Sequence, residues 1–447
     1  MSALMSNQRK PTAETLNLLA IPNSEWRQNR HTASPRLPTS VRLVGLLATC
    51  IACLQPAGAA NPAIKLTTDG FLSINGEPHF VIGLYQAGHY DEMAKAGFSA
   101  THNYGISAGK AEEVTNSTDA HLRDLLDRNY TNGLRMMVEL PREAIEKGNW
   151  QQITNRIHTF RNHPGLLCWG SEERVARGRT GLTNIAKLYS LVHKLDPNHP
   201  LVLGDTKDVI KKFQHDRRDF FPDSCMDIGI WWWYPIPLKD PDGNGVDQPV
   251  HTQMEPPSWL TTTHSKKPLW IAIQAYQHPS KDGRFPTPEE YRCMAYLSII
   301  NGVKGLFFYT GSGQRDFEGK PAGILNKPEL GQWDYVKALV HELREFSPVI
   351  MAKRFHSNIV LSPPDAPVEF TVRKRGHETF LIAANKSNRP QTVIFTSNSF
   401  KGWAANVLYE DHPVQINGNS LRDDFVPFGV HVYQLNSNGQ QYSQRSR

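Results

Sequence analysis

Two adjacent carboxylates, Glu172 and Glu173, end the apolar run LLCWGSEE, and other short apolar runs also end in groups able to do chemistry. His102, Asn103 and Tyr104 close FSATHNYG, Glu139 closes LRMMVELP, and Asp205 closes LVLGDT. Trp231, Trp232, Trp233 and Tyr234 crowd the end of MDIGIWWWYP, while Gln274 ends the apolar part of LWIAIQAYQ and Tyr309 that of VKGLFFYTG. Carboxylates pass protons, amides and hydroxyls bond other hydroxyls, and indole or phenol rings offer a flat apolar face. That mixture suits a hydroxyl-rich neutral ligand, and sugars fit it best. If both were ionised, Glu172 and Glu173 would repel, so one is expected to keep its proton, as a donor to a glycosidic oxygen must. The plainer alternatives are that one Glu pairs with Arg174 or Arg177, that Glu139 caps a loop, and that the Trp residues pack under helices. No His, Cys, Asp or Glu spacing implies a metal, no cofactor motif is present, and Gly170-Ser171 lacks the flanks of a nucleophile elbow.

Eight segments must position these groups. The runs 80–86, 98–105, 134–141, 166–173, 201–206, 226–235, 269–277 and 303–311 read as short buried strands. Between them lie stretches such as AHLRDLLDRNYTNG and EEYRCMAYLSIINGV, with helical spacing and Gly near their ends. Eight such units in about 290 residues predict a (β/α)8 TIM barrel, whose working groups gather at the C-terminal strand ends. A doubly wound open sheet would need a Gly-rich phosphate turn after its first strand, and GLYQAGHY is not one. A hairpin, FLSINGEPHF, with Asn75-Gly76 at its turn, leads in. Beyond Pro348 the texture changes to short alternating runs (NIVLS, VEFTVRKRG, ETFLIAANKS, QTVIFT, AANVLYED, GVHVYQL) with a further turn at Asn417-Gly418. They predict a small antiparallel β-sandwich. The expected organisation is a leader over 1–60, the barrel over 62–350, the sandwich over 352–435 and a tail over 436–447.

The net charge of +6 is concentrated in the leader. Residues 1–60 hold Arg9, Lys10, Arg27, Arg30, Arg36 and Arg42 against Glu14 and Glu25, so +4 of the excess sits there. The remainder has no basic stripe, which excludes a nucleic-acid footprint of the usual kind. The run VRLVGLLATCIACL followed by PAGAAN has a charged start, a short apolar middle and small residues at Ala57 and Ala59. That pattern predicts a secretory signal cleaved near Ala59-Ala60, with a secreted or periplasmic product and no membrane span after removal. Cys50 and Cys53 fit a lipid-modified cysteine less well. Cys168, Cys225 and Cys293 are too few and too scattered for a disulfide framework, and buried thiols are expected. Nothing in the sequence sets an oligomeric state.

The segment NHPGLLCWGSEE resembles the strand-four motif of the clan A glycoside hydrolases, in which His-Pro precedes an apolar strand ending in Trp and then Asn-Glu. FLSINGEPHFVIGLY, KPLWIAIQAY, TPEEYRCMAYLSIINGVKGLFFY and FGVHVYQL resemble the barrel opening, strands seven and eight, and the closing sandwich strand of a bacterial branch of that superfamily. Together they span roughly residues 65–435. The resemblance implies an exported O-glycosyl hydrolase acting on an oligo- or polysaccharide. It places Glu173 as general acid/base and Glu172 where Asn usually precedes it. Gln274 stands where members that retain configuration carry a nucleophilic Glu, and an amide cannot replace that carboxylate. Glu139 or Asp205 is then the expected second acid. His102, Asn103, Tyr104, Trp231, Trp233, Tyr234, Gln274 and Tyr309 are the expected sugar contacts. The alternative is a carbohydrate-binding protein on a barrel that has lost catalysis.

Overall fold

The structure, a computed structural model, describes residues 64–103, 118–172, 181–204, 225–237, 253–255 and 267–437. The expected leader and most of the tail lie outside these residues, as do Tyr104, Glu173 and Asp205.

Three short strands, β1 (Ile64–Leu66), β2 (Leu72–Ile74) and β3 (Glu77–His79), form an antiparallel sheet ahead of the barrel. Asn75 and Gly76 both take positive φ in the two-residue turn between β2 and β3, as a tight hairpin following the right-handed strand twist requires. Ile64 and Leu72 from this sheet pack with Val81 and Ala100 inside the barrel floor.

The barrel strands are β4 (Val81–Tyr85), β5 (Ala100–His102), β6 (Arg135–Glu139), β7 (Leu166–Glu172), β8 (Leu201–Gly204), β9 (Ile228–Trp233), β10 (Leu269–Gln274) and β11 (Gly305–Tyr309). They are parallel and closed in chain order, with β11 pairing β4. All eight coincide with the runs expected from sequence. Parallel strands covered on both faces must be apolar throughout, which is why they stand out as uninterrupted runs. Among the described helices, α1 (Tyr90–Ala96), α2 (Thr118–Thr131), α3 (Arg142–Lys147), α4 (Trp150–Phe160), α5 (Leu182–Leu195), α6 (Pro288–Ile300) and α7 (Gln332–Ile350) belong to the barrel region. None is long and apolar enough to cross a membrane. At the start of α6 the Thr287 side chain takes the Glu290 N–H while Glu290 reaches back to the Thr287 N–H. Thr287 and Glu290 stand three residues apart, the spacing a capping box requires.

Side-chain parity decides what reaches the interior. Val81 and Tyr85, Ala100, Met137, Cys168, Val202, Ile228 and Ile230, Trp270 and Ala272, and Phe307 form the inner cluster. Their sequence neighbours Ile82, Leu84, Trp169, Leu203, Trp231 and Ile271 face the helices. One irregularity matters. Met136 pairs with Leu166 but Met137 pairs with Cys168, so Leu167 is an extra residue in β7. Both Leu167 and Cys168 therefore join the inner cluster, and the alternation restarts one step later.

The C-terminal sheets contain five strands in the order β12 (Lys353–Arg354), β14 (Val368–Arg375), β15 (Glu378–Asn385), β20 (Val430–Ser437), β17 (Trp403–Leu408), and four in the order β13 (Val360–Ser362), β16 (Gln391–Thr396), β19 (Ser420–Phe425), β18 (Ile416–Asn417). All pairings are antiparallel and the inner faces share one apolar cluster. β12, β18 and β19 were not anticipated. β19, SLRDDF, hides because its inward position 423 is an Asp, whose carboxylate takes the Tyr433 hydroxyl at 2.6 Å and faces His412 Nε2 at 2.6 Å. Arg292 of α6 ties barrel to sandwich. It bonds Glu342 of α7 at 2.9 Å, Glu410 at 2.9 Å and the Val430 carbonyl. Cys168, Cys225 and Cys293 are all buried and none is in a disulfide.

Candidate active site

At the C-terminal ends of the first four barrel strands, four polar side chains meet. The Tyr85 hydroxyl of β4 donates to Glu172 Oε1 of β7 at 2.5 Å. Trp232 of β9 hydrogen-bonds the same phenol, which leaves the Tyr85 proton for Glu172. His102 of β5 places Nε2 3.5 Å from Glu172 Oε2, while its Nδ1 lies 3.0 Å from the Met137 carbonyl oxygen. A carbonyl only accepts, so Nδ1 carries a hydrogen and Nε2 is the nitrogen turned to the carboxylate. Glu139 of β6 accepts the Glu172 backbone N–H at 2.7 Å through Oε1, and Arg142 Nε of α3 lies 3.4 Å from the same oxygen.

Small residues on the neighbouring strands make this meeting possible. A Cβ on Gly170 would come within 2.8 Å of Glu139 Oε2, and one on Gly204 within 3.0 Å of Glu172 Cγ. Glu139, Glu172, His102 and Tyr85 are each no more than 1% exposed. In such surroundings the charges are strongly felt. Burial, followed by the Glu172 charge, pushes the Tyr85 hydroxyl well above its usual range, so it stays a donor at any physiological pH.

Tyrosines form the adjoining wall. Tyr234, just past β9, stacks on Tyr309 of β11 at 5.3 Å, and Tyr276, just past β10, meets both rings edge-on at 5.3 and 5.8 Å. Tyr85 approaches Tyr309 edge-on at 5.4 Å, so the wall is continuous with the carboxylate cluster. Burial raises the Tyr234 and Tyr276 hydroxyls, with their neighbouring phenols adding to the effect.

The structure thus brings His102, Glu139 and Glu172 into one cluster, with Tyr234 and Tyr309 beside it. Asn103 is turned elsewhere: its carbonyl accepts the Ala87 N–H at 2.9 Å and its amide donates to Tyr90 at 3.2 Å, fixing the segment after β4. Two expectations need correction. Trp231 and Trp233 are fully buried in the helix-facing core, because β9 directs Ile228, Ile230 and then Trp232 inward. Gln274 is committed to backbone, not to a ligand: its carbonyl accepts the Ile236 N–H at 2.8 Å, and its amide donates to Ile236 O at 2.6 Å and Tyr276 O at 3.3 Å. Tyr85, Arg142 and Tyr276 were missed, while Trp232, named with its neighbours at the strand end, is the tryptophan that faces inward. Strand alternation from Val81 through Gly83 would have found Tyr85; nothing local marks Arg142.

Among the described residues, two side-chain sets could hold a metal by donor type. One ring nitrogen of His102 and one oxygen each of Glu139 and Glu172 lie within 4.8 Å of one another, though Arg142 already brings positive charge to them. His412, Asp423 and His431 in the sandwich are similarly close. There the two imidazoles stack at 4.8 Å and 10°, so their in-plane lone pairs do not converge on one ion. Each ring instead faces a carboxylate, Asp423 and Glu410 respectively.

No protein-family model and no curated protein matches the chain. Solved structures do. An α-amylase from Geobacillus thermoleovorans, complexed with acarbose, matches with a TM-score of 0.52 and 11% identity, over 80% of this chain and 98% of the amylase. A family 39 glycoside hydrolase from Bacteroides cellulosilyticus matches with a TM-score of 0.50 and 13% identity, over 81% and 84%. The maltogenic α-amylase AmyB from Thermotoga neapolitana gives 0.52 and 8% over 80% and 98%. The chain, a closed parallel barrel followed by antiparallel sheets, therefore shares its fold with these glycoside hydrolase structures. At such identities the likeness speaks to fold, and function must be argued from the site.

Proposed function

We propose that this chain is an exported enzyme that hydrolyses O-glycosidic bonds of an oligo- or polysaccharide at the C-terminal mouth of its barrel. The observation that carries this reading is the convergence of Glu172, Glu139, His102 and Tyr85 from four consecutive strands. The acarbose complex of the similar amylase supports a saccharide as ligand. Glu173, the residue that the resemblance puts in the acid/base place, donates the proton to the departing oxygen. Water attacks the anomeric carbon as the bond to the departing oxygen breaks, and Glu172, facing the Tyr85 donor and His102, takes the water's proton and offsets the cationic character developing there. Glu139 anchors the end of β7 through the Glu172 N–H, and the tyrosine wall offers ring faces to the sugar. Export rests on the charged, apolar and small-residue pattern over 41–60, and N-terminal sequencing of the secreted product should begin near Asn61.

The test is a panel of oligo- and polysaccharides assayed for both binding and released sugar, using the wild type and the single variants Glu173→Gln, Glu172→Gln and Glu139→Gln. Cleavage by the wild type, abolished in the Glu173 and Glu172 variants, supports the assignment. Unchanged turnover in Glu173→Gln removes the acid role. Saturable binding with no sugar released by the wild type overturns the enzyme reading in favour of a binding protein.

A further inference from the structure

The opposite end of the barrel carries a cavity that the chemistry above does not use. Its volume is about 380 Å³, and it lies where β10 and β11 begin, bounded by residues 66–70, 267–269 and 301–304. Because all barrel strands run in parallel, this position is a full strand length from the carboxylate cluster. The turn between β1 and β2 closes one side: Gly70 has φ 81°, and a Cβ there would come 3.1 Å from Pro268. Gly302, φ 93°, has nothing within 4 Å of a built Cβ, so that rim stays open.

The walls are apolar at Pro268, Leu269 and Val303 and cationic at Lys267 and Lys304. Asp69, which is exposed, is the one acidic residue among the lining. The Lys304 ammonium lies 4.2 Å from the centre of the Phe71 ring, and among the described residues no carboxylate comes within 4 Å of it. Lys267 lies over Tyr189 at 5.8 Å. Burial, and after it Arg373, lowers the Lys304 pKa, with only Asp69 acting the other way. The Lys304 ammonium, held against apolar surface with only the exposed Asp69 opposing its charge, is relieved by an anion. The cavity is at the small end of the range of roughly 300–1,000 Å³ seen for ligand sites.

We infer that this cavity binds a compact acidic sugar, its carboxylate or sulfate bonded by Lys304 and Lys267 and its ring against Pro268, Leu269 and Val303. The site is independent of the proposed hydrolysis and would hold an acidic residue of a glycan while the other barrel end acts.

Calorimetric titration of the mature protein with glucuronate, glucose 6-sulfate, glucose and inorganic sulfate tests this. Saturable binding of the two acidic sugars is expected, with glucose at least about tenfold weaker, as one charge-assisted contact implies. Lys304→Met and Lys267→Met should each weaken the acidic sugars about tenfold or more, and Asp69→Asn should tighten them. Thermal unfolding of each variant checks that the fold is kept. Since Lys304 also covers Phe71, Lys304→Gln serves as a second variant. No binding of acidic sugars, equal binding of glucose, unchanged affinity in both lysine variants, or sulfate binding as tightly as the sugar acids (an adventitious ion only) overturns the inference. Cleavage measured in parallel keeps this outcome separate from the fate of the hydrolase proposal.

Discussion

Replacing Gln274 by Glu would supply the carboxylate that the resemblance expects on strand seven, and the structure predicts that it fails there. The Gln274 side chain is fully buried, and its amide donates to the carbonyls of Ile236 and Tyr276 while its oxygen takes the Ile236 N–H. A carboxylate keeps only the last bond and sets its second oxygen against two carbonyls. Ionised, it loses two buried donors and faces two acceptors, a penalty of about 3–5 kcal/mol. Protonated, it still donates to Ile236 O and forgoes only the longer Tyr276 bond, at about 1 kcal/mol. The folded state of the variant therefore holds the proton, and its pKa at this site rises above the unfolded value of about 4.3. Below that unfolded value the penalty stays near 1 kcal/mol. Above it the penalty grows by about 1.4 kcal/mol per pH unit, up to the ionised limit. Urea unfolding of Gln274→Glu and wild type at pH 4 and pH 7 should show a stability difference about 2–4 kcal/mol larger at pH 7. Equal stability at both pH values, or a gain in hydrolysis, would refute the view that position 274 is built for an amide.

Other outcomes follow from the same contacts. Tyr85→Phe removes the donor to Glu172 without removing the ring, and should lower kcat about 10–100-fold with little change in KM, measured on whichever glycan the wild type cleaves. Arg292→Met strands Glu342 and Glu410 at the barrel–sandwich contact; denaturant unfolding should show a loss of about 3–5 kcal/mol, and a loss below about 1 would contradict the contact's importance. Bonds from Lys337, then Trp333, then His89 hold Glu92 down to about 2. A carboxylate depressed on folding stabilises above its unfolded pKa and stops doing so as the pH falls through the folded value. Because Glu92 is 38% exposed, Glu92→Gln should cost only about 1 kcal/mol at neutral pH, a difference that vanishes between roughly pH 4.5 and 2 in acid-unfolding curves.

The barrel was legible because strands buried on both faces must be apolar from end to end, and several are set off by a helix that stops near a Gly, as at Gly97, Gly133 and Gly302. Much of the sandwich was legible from alternation, but β19 was not, since an inward Asp breaks the pattern that identifies a strand. The site was legible only to the level of strand ends. Which of three consecutive tryptophans enters the interior depends on the register of β9 against its neighbours, a property no single segment carries. Tyr85 sits inside an apolar run and reads as core until Glu172 is placed opposite it across 87 positions of chain. The backbone role of Gln274 depends on Ile236, 38 residues away, so local sequence offers no hint that the amide is spoken for.

Leu167, the supernumerary residue of β7, sets the phase of everything after it. Excising that one leucine would leave Cys168 opposite Met137 and Trp169 opposite Val138, so the bulge would vanish while Glu172 went on facing the lumen. Simple alternation counted from Leu166 would turn Glu172 toward the helices; its ladder partner, Gly204, shows that it looks inward.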